Sequence, residues 1–302
     1  DRFILAKDRP GARRALTATF AEVTDDATRD SAREGMDVLL RWLADRQEYG
    51  LLDEVVSLAR PKKALSIVTL ANVAGSLGDV GERKRARRLL AIAGDLGPDH
   101  RTQWLAIADA RARMDDTDLA LAALKRIGPE EDWDVAAWMA RGRVDMGRRQ
   151  YREAVAAYSK AAELDREACS PRYFRGLVQI LLGDADGARE DLEVCMKLGD
   201  RSGQVVGGLA YALFDLARYD EAEARFREAI AKDDTMADNH LGLALTLFRL
   251  GRLDEAKASF ARAVTAEPAI GKGIRAAEIK GYVYSDVEKK AWDDFVKETR
   301  QR

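Results

Sequence analysis

Residues able to do chemistry are few in this chain and poorly placed for it. The two histidines, His100 and His240, stand near no cysteine or serine at a spacing that suggests a nucleophile and its base. Gly271-Lys272-Gly273 sets a lysine between glycines but lacks the rest of a phosphate-binding loop. Cys169 and Cys195 are too few for a disulfide framework, and their spacing fits no metal motif. Cys195 reads as a buried substitute for alanine. Cys169 starts a helix, where a thiol pKa can fall, but nothing else marks it as reactive. Asp and Glu total 52 against 50 Lys and Arg, and among so many helix-surface charges they pick out no acid–base pair. We assign no catalytic residue, no metal ligand and no cofactor, and we expect no enzyme.

One charge cluster stands out. Arg83, Lys84, Arg85, Arg87 and Arg88 follow Arg60, Lys62 and Lys63, so residues 60–88 hold eight bases against Asp79 and Glu82, a local charge of +6. The plain reading is the solvated outer face of one helix, compensated elsewhere. The alternative is a docking patch for an acidic partner. The stretch has no aromatic residue on which bases could stack, which disfavours nucleic acid.

The elements that must carry these residues are helices. The chain has 302 residues, 47% hydrophobic and 34% charged, with only 6 prolines, which suits a helical core and is too apolar for disorder. A formal net charge of -2 gives no global reason to expect a nucleic acid or membrane partner. No apolar run approaches the roughly 20 residues of a membrane helix. The chain starts at Asp1 with no signal-peptide pattern, so it reads as a trimmed piece; the cytoplasm is the default location, with room for a lost targeting segment.

The helices repeat. Ala86, Ala120, Ala154, Ala188, Ala222 and Ala256 are each 34 residues after the last. Twelve residues before each stands Ala74, Ala108, Gly142, Gly176, Ala210 or Ala244; four after stands Leu90, Leu124, Tyr158, Leu192, Phe226 or Phe260. Two antiparallel helices approach closely only where both carry small side chains, and a large residue one turn on fills the space beside the contact.

These columns resemble the tetratricopeptide repeat, whose pattern is Trp-x2-Leu-Gly-x2-Tyr, then Ala-x3-Phe, then Pro. The Trp place is held by Trp104 and Trp138, the closing Pro by Pro98 and Pro268, and the aromatic opening the second helix by Tyr151 and Tyr219. The resemblance implies an all-α fold, a right-handed α-solenoid of antiparallel helix pairs. Residues 67–270 make six repeats starting near 67, 101, 135, 169, 203 and 237. Residues 1–66 hold N-terminal helices: a helix over 11–23 and one degenerate pair over 33–66, where Leu40 and Leu52 replace the small residues. Residues 271–302 are read as C-terminal capping helices, the last opened by a Ser285-x-x-Glu288 capping box.

In that family the first helices line a concave wall, at repeat positions 5, 9 and 12. Here the resemblance assigns to the wall Met139, Arg143, Met146, Tyr173, Leu177, Tyr211, Phe214, Leu245 and Phe248. Phe214 and Phe248 also suit a seam between neighbouring first helices. Arg143 is expected in the groove, since no obvious acid is offered to it, and the hydroxyls of Tyr173 and Tyr211 need a partner or water. Family members that grip acidic chaperone tails use Lys and Asn at positions such as 5 and 9. Ala71, Gly75, Leu105, Asp109, Met139 and Arg143 stand there instead, which disfavours such a receptor.

The expected function is a non-catalytic scaffold whose groove holds a peptide, helix or loop of another protein. The resemblance extends this to bacterial assemblies for motility, pili, secretion or signalling. The alternative is a regulatory region cut from a larger signalling enzyme. A monomer is favoured, with stacking through the degenerate N-terminal end as the competing possibility.

Overall fold

The computed structural model describes residues 25–274 and 284–301, together with Ala18, Glu22 and Val23. Apart from those three residues, the helix expected over 11–23 lies outside the described residues, as does part of the expected C-terminal cap. Every regular element among the described residues is a helix. The chain divides into two compact units, residues 1–148 and 149–302.

The first unit holds α1 (Asp26–Asp45), α2 (Tyr49–Ala59), α3 (Ile67–Asp79), α4 (Arg83–Asp95), α5 (Arg101–Arg113), α6 (Thr117–Leu124) and α7 (Val135–Gly147). The second holds α8 (Tyr151–Leu164), α9 (Cys169–Leu182), α10 (Ala185–Lys197), α11 (Gly203–Asp215), α12 (Tyr219–Lys232), α13 (Ala237–Arg249) and α14 (Leu253–Ala266). The one-turn α15 (Pro268–Gly271) and the long α16 (Asp286–Gln301) follow. Within each unit the two helices of a pair pack together, as in α3 with α4 and α11 with α12, and first helices also touch the next first helix, as in α3 with α5 and α11 with α13. This is an all-α solenoid of helix pairs.

The period is written into the backbone. First helices open at Ile67, Arg101, Val135, Cys169, Gly203 and Ala237, and second helices at Tyr49, Arg83, Thr117, Tyr151, Ala185, Tyr219 and Leu253, each 34 residues on. The turn joining the two helices holds one left-handed residue at the same place every time: Gln47, Gly81, Asp115, Arg149, Gly183, Ala217 and Gly251. Only three of these are glycine, so the others hold a conformation that costs an L-residue about 1–2 kcal/mol. The pair α1–α2 therefore keeps the register at its turn although Leu40 and Leu52 are both buried in it. What departs from the period is α1, which opens at Asp26 rather than near 33.

All six alanines of the main column, Ala86 to Ala256, have no exposed surface. The large residues beside them, Leu90, Leu124, Tyr158, Leu192 and Phe226, are fully buried, and Phe260 is half-buried. His240 sits in the core, its Nε2 2.9 Å from the main-chain oxygen of Asp234.

The two cysteines correct the reading of Cys195 as a buried substitute for alanine and of Cys169 as a separate thiol at a helix start. Cys169, at the start of α9, and Cys195, near the end of α10, form a disulfide with Cα atoms 4.9 Å apart. Antiparallel packing brings the start of one helix beside the end of the other, so a separation of 26 residues becomes contact.

Candidate interaction surface

In the first unit the first helices carry an ionic ladder. Arg143 on α7 pairs with Asp109 on α5, and Arg113 on α5 pairs with Asp79 on α3, through Nε to Oδ1 at 3.1 Å and a second, shorter contact. Arg113 also lies 3.9 Å from Asp109, which joins the two pairs. A Cβ on Gly75 would come within 2.9 Å of the Arg113 guanidinium, so the bare glycine makes room for the ladder. The expectation that Arg143 has no acidic partner is therefore corrected: the acid stands one repeat earlier, at the same position. Beside it Met139 is buried and Met146 half-buried.

The basic cluster on α4 is engaged with its neighbours. Arg83 reaches Asp115 at 3.1 Å, Arg87 reaches Asp116 at 2.6 Å, and Arg85 meets Glu82 at 2.5 Å and Asp53 at 3.3 Å. Arg88 lies 3.8 Å from Asp53, and Lys84 is exposed. Four of the five bases thus stitch α4 to the turns and second helices on either side. Exposed pairs of this kind contribute little to stability, but they lower the free positive charge of the face.

In the second unit the corresponding face is aromatic and carboxylic. Tyr173 on α9 is half-buried, and burial, aided by the charges of Asp238 and Asp200, pushes its hydroxyl up to about 12. Leu177 beside it is half-buried as well. The Tyr211 hydroxyl donates to the main-chain oxygen of Asp238 at 2.7 Å, so it has its partner inside the fold. Phe214 and Leu245 are buried; Phe214 packs on Tyr219 with ring centres 5.4 Å apart. Phe248 is half-buried against Phe295 of α16, at 5.6 Å.

The C-terminal segment covers this face. Ser285 and Glu288 make the capping box, each main-chain N–H donating to the other's side chain at 2.8 and 3.1 Å. The Ser285 hydroxyl also donates to Asp215 at 3.0 Å, reaching past α13 to the end of α11. The Tyr284 hydroxyl donates to Asp238 at 3.1 Å. Trp292 and Phe295 are 1% and 2% exposed and pack on Phe260, Tyr284 and Phe248. Three carboxylates lie at the start of this helix: Asp215, bonded to Ser285; Asp238, bonded to Tyr284; and Glu288 of the first turn, which feels the charge of both. Burial raises Asp215 to about 6 and Asp238 to about 7; Glu288 is pushed well up by burial and then by the charge of Asp215.

One buried pair escaped the reading of the sequence. Arg175 on α9 holds Asp191 on α10 through two hydrogen bonds of 2.6 Å, and donates to Ser159 on α8 at 3.0 Å. A fork of this kind locks three helices in orientation. Among the described residues no cluster of His, Cys, Asp and Glu could hold a metal ion, and no helix is long and apolar enough to cross a membrane.

Two family profiles, both described as tetratricopeptide repeat, match residues 139–194 and 213–270. Small glutamine-rich tetratricopeptide repeat-containing protein 2 of Mycosarcoma maydis is 32% identical over 96 residues, 31% of this chain and 27% of that protein. Superkiller complex protein 3 of Mus musculus is 26% identical over 154 residues, 50% of this chain and 9% of that protein. The chain thus spans only about a quarter and a tenth of these relatives' lengths. Among solved structures, the Cut9–Hcn1 hetero-tetramer of the APC/C superposes with a TM-score of 0.60 and 16% identity, over 88% of this chain and 47% of that one, which shows the fold. With two profile matches and helix pairs that recur every 34 residues, the chain is a member of the tetratricopeptide repeat family, a protein-interaction scaffold.

Proposed function

We propose that the scaffold is non-catalytic and works through the first-helix face, holding a helix or peptide of a partner within a multi-protein assembly. The observation that carries this is α16 itself. A helix already packs on the last helix pair of the second unit, seating Phe295 against Phe248 of the first helix α13 and both Trp292 and Phe295 against Phe260 of α14. That is how an amphipathic helix docks in a groove, through large anchors spaced three and four apart. Tyr173 and Leu177 extend the same face and stay half-buried, and Arg143 and Met146 hold the equivalent places in the first unit. The basic face of α4 suits a partner less, since its arginines are held by Asp53, Asp115 and Asp116.

The test is capture of partners from the source lysate with the full chain as bait, beside a Tyr173→Ala/Leu177→Ala variant and an Arg83→Glu/Arg87→Glu variant, each checked for helical content. A partner lost with the first variant and kept with the second supports the reading. The reverse pattern overturns it and moves the working surface to α4.

A further inference from the structure

We propose that α16 is a proton-latched internal ligand that vacates the first-helix face of α11 and α13 as pH rises, and that the face then takes a basic aromatic helix from a partner. The inference rests on the reading of the first-helix face as a binding surface. It starts from the way α16 is held. Its aromatic residues bury well, but its first turn buries Glu288, 2% exposed, in the field of Asp215 of α11 and, more weakly, Asp238 of α13. One Asp215 oxygen accepts from Ser285; the other is buried without a hydrogen-bond partner. Glu288 is buried in the field of both aspartates, which are themselves half-buried, so it cannot ionise cheaply beside them.

Among the described residues little offsets them. The Tyr284 hydroxyl donates to the Asp238 carboxylate and the Tyr211 hydroxyl to the Asp238 main-chain oxygen, while Tyr173 lies in the field of the same residue. Lys289 acts on Glu288 only weakly, as its smallest influence. Arg249 is drawn to Asp294 at 3.3 Å, as is Lys290 at 3.0 Å. No arginine or lysine of α11 or α14 acts on the three acids.

The sign follows from the direction of the shifts. All three groups are raised in the docked state, so their contribution to docking is complete below the ordinary carboxylate range. It is lost as pH rises through about 6 and 7. The same acids define the replacement. A helix with Lys or Arg where α16 has Glu288, and large aromatics four and seven residues on where α16 has Trp292 and Phe295, would keep the aromatic contacts and neutralise Asp215 and Asp238.

The test is hydrogen exchange of α16 in the full chain from pH 5 to 8, corrected for intrinsic exchange, for the parent and for Glu288→Gln, which keeps the acceptor for the Ser285 N–H. Exchange in α16 is expected to rise at least about tenfold across that range in the parent and by much less in Glu288→Gln. At pH 8 a peptide of residues 284–301 carrying Glu288→Lys is expected to bind the full chain, and the same peptide with Trp292→Ala/Phe295→Ala is not. Exchange that is flat with pH in the parent, or that rises equally in Glu288→Gln, overturns the latch. If exchange rises and the basic peptide fails to bind, the assigned partner chemistry is overturned. Neither result bears on partner capture through Tyr173 and Leu177, so failure of the latch is distinguishable from failure of the proposed function.

Discussion

Arg143 and Asp109 stand at the same position of successive first helices, 34 residues apart, and form an ion pair across them. Their side chains are 20% and 28% exposed, so water screens the pair only in part. A double-mutant cycle with Arg143→Ala and Asp109→Ala is expected to give a coupling of about 1 kcal/mol from urea midpoints. Additive effects would mean that the two side chains do not interact in solution.

Ala217 holds the left-handed turn position that glycine fills at Gly183 and Gly251. Ala217→Gly should relieve the turn and raise stability by about 0.5–1 kcal/mol, even though glycine widens the unfolded ensemble. Gly183→Ala should lose a similar amount. Thermal melts of both variants check the pair, and a loss on Ala217→Gly would contradict the turn assignment.

Arg175 neutralises Asp191, whose side chain is 9% exposed. Removing the guanidinium leaves a buried carboxylate without its counter-charge, so Arg175→Ala is expected to cost about 3 kcal/mol. Arg175→Lys should restore only part, because an ammonium cannot make the two parallel bonds. An alanine variant that unfolds at the parent's urea midpoint would rule this pair out as a structural tie.

The Cys169–Cys195 disulfide closes a loop of 26 residues, and its loss is expected to cost about 3 kcal/mol under oxidising conditions. Cys169→Ser and treatment with dithiothreitol should lower the melting temperature by the same amount, with no added effect when combined. Intact mass after thiol alkylation without reductant should show no free thiol; two alkylated cysteines would contradict the bridge.

The sequence discloses what repeats and hides what happens once. The 34-residue period, the buried alanine column and the Ser285–Glu288 box follow from spacing alone, because each is set by local helix geometry. Arg143 with Asp109 was legible in principle, as opposite charges one period apart, but only once successive first helices are placed side by side. Cys169 and Cys195 sit at opposite ends of one helix pair, where chain distance hides contact. The bond from Ser285 to Asp215 spans 70 residues and lies beyond the periodic region, so no column pointed to it. That non-repeating segment packs on both helices of the last pair, through Phe248 and Phe260.

The measurement that bears most directly on the role of that face is site-specific photocrosslinking in the full chain, with a benzoylphenylalanine placed at Leu177 or at Lys84 and the captured partner added. A first-helix binding surface predicts a crosslink to the partner from Leu177 and none from Lys84. A crosslink from Lys84 alone would contradict it, placing the partner on the outer face of α4.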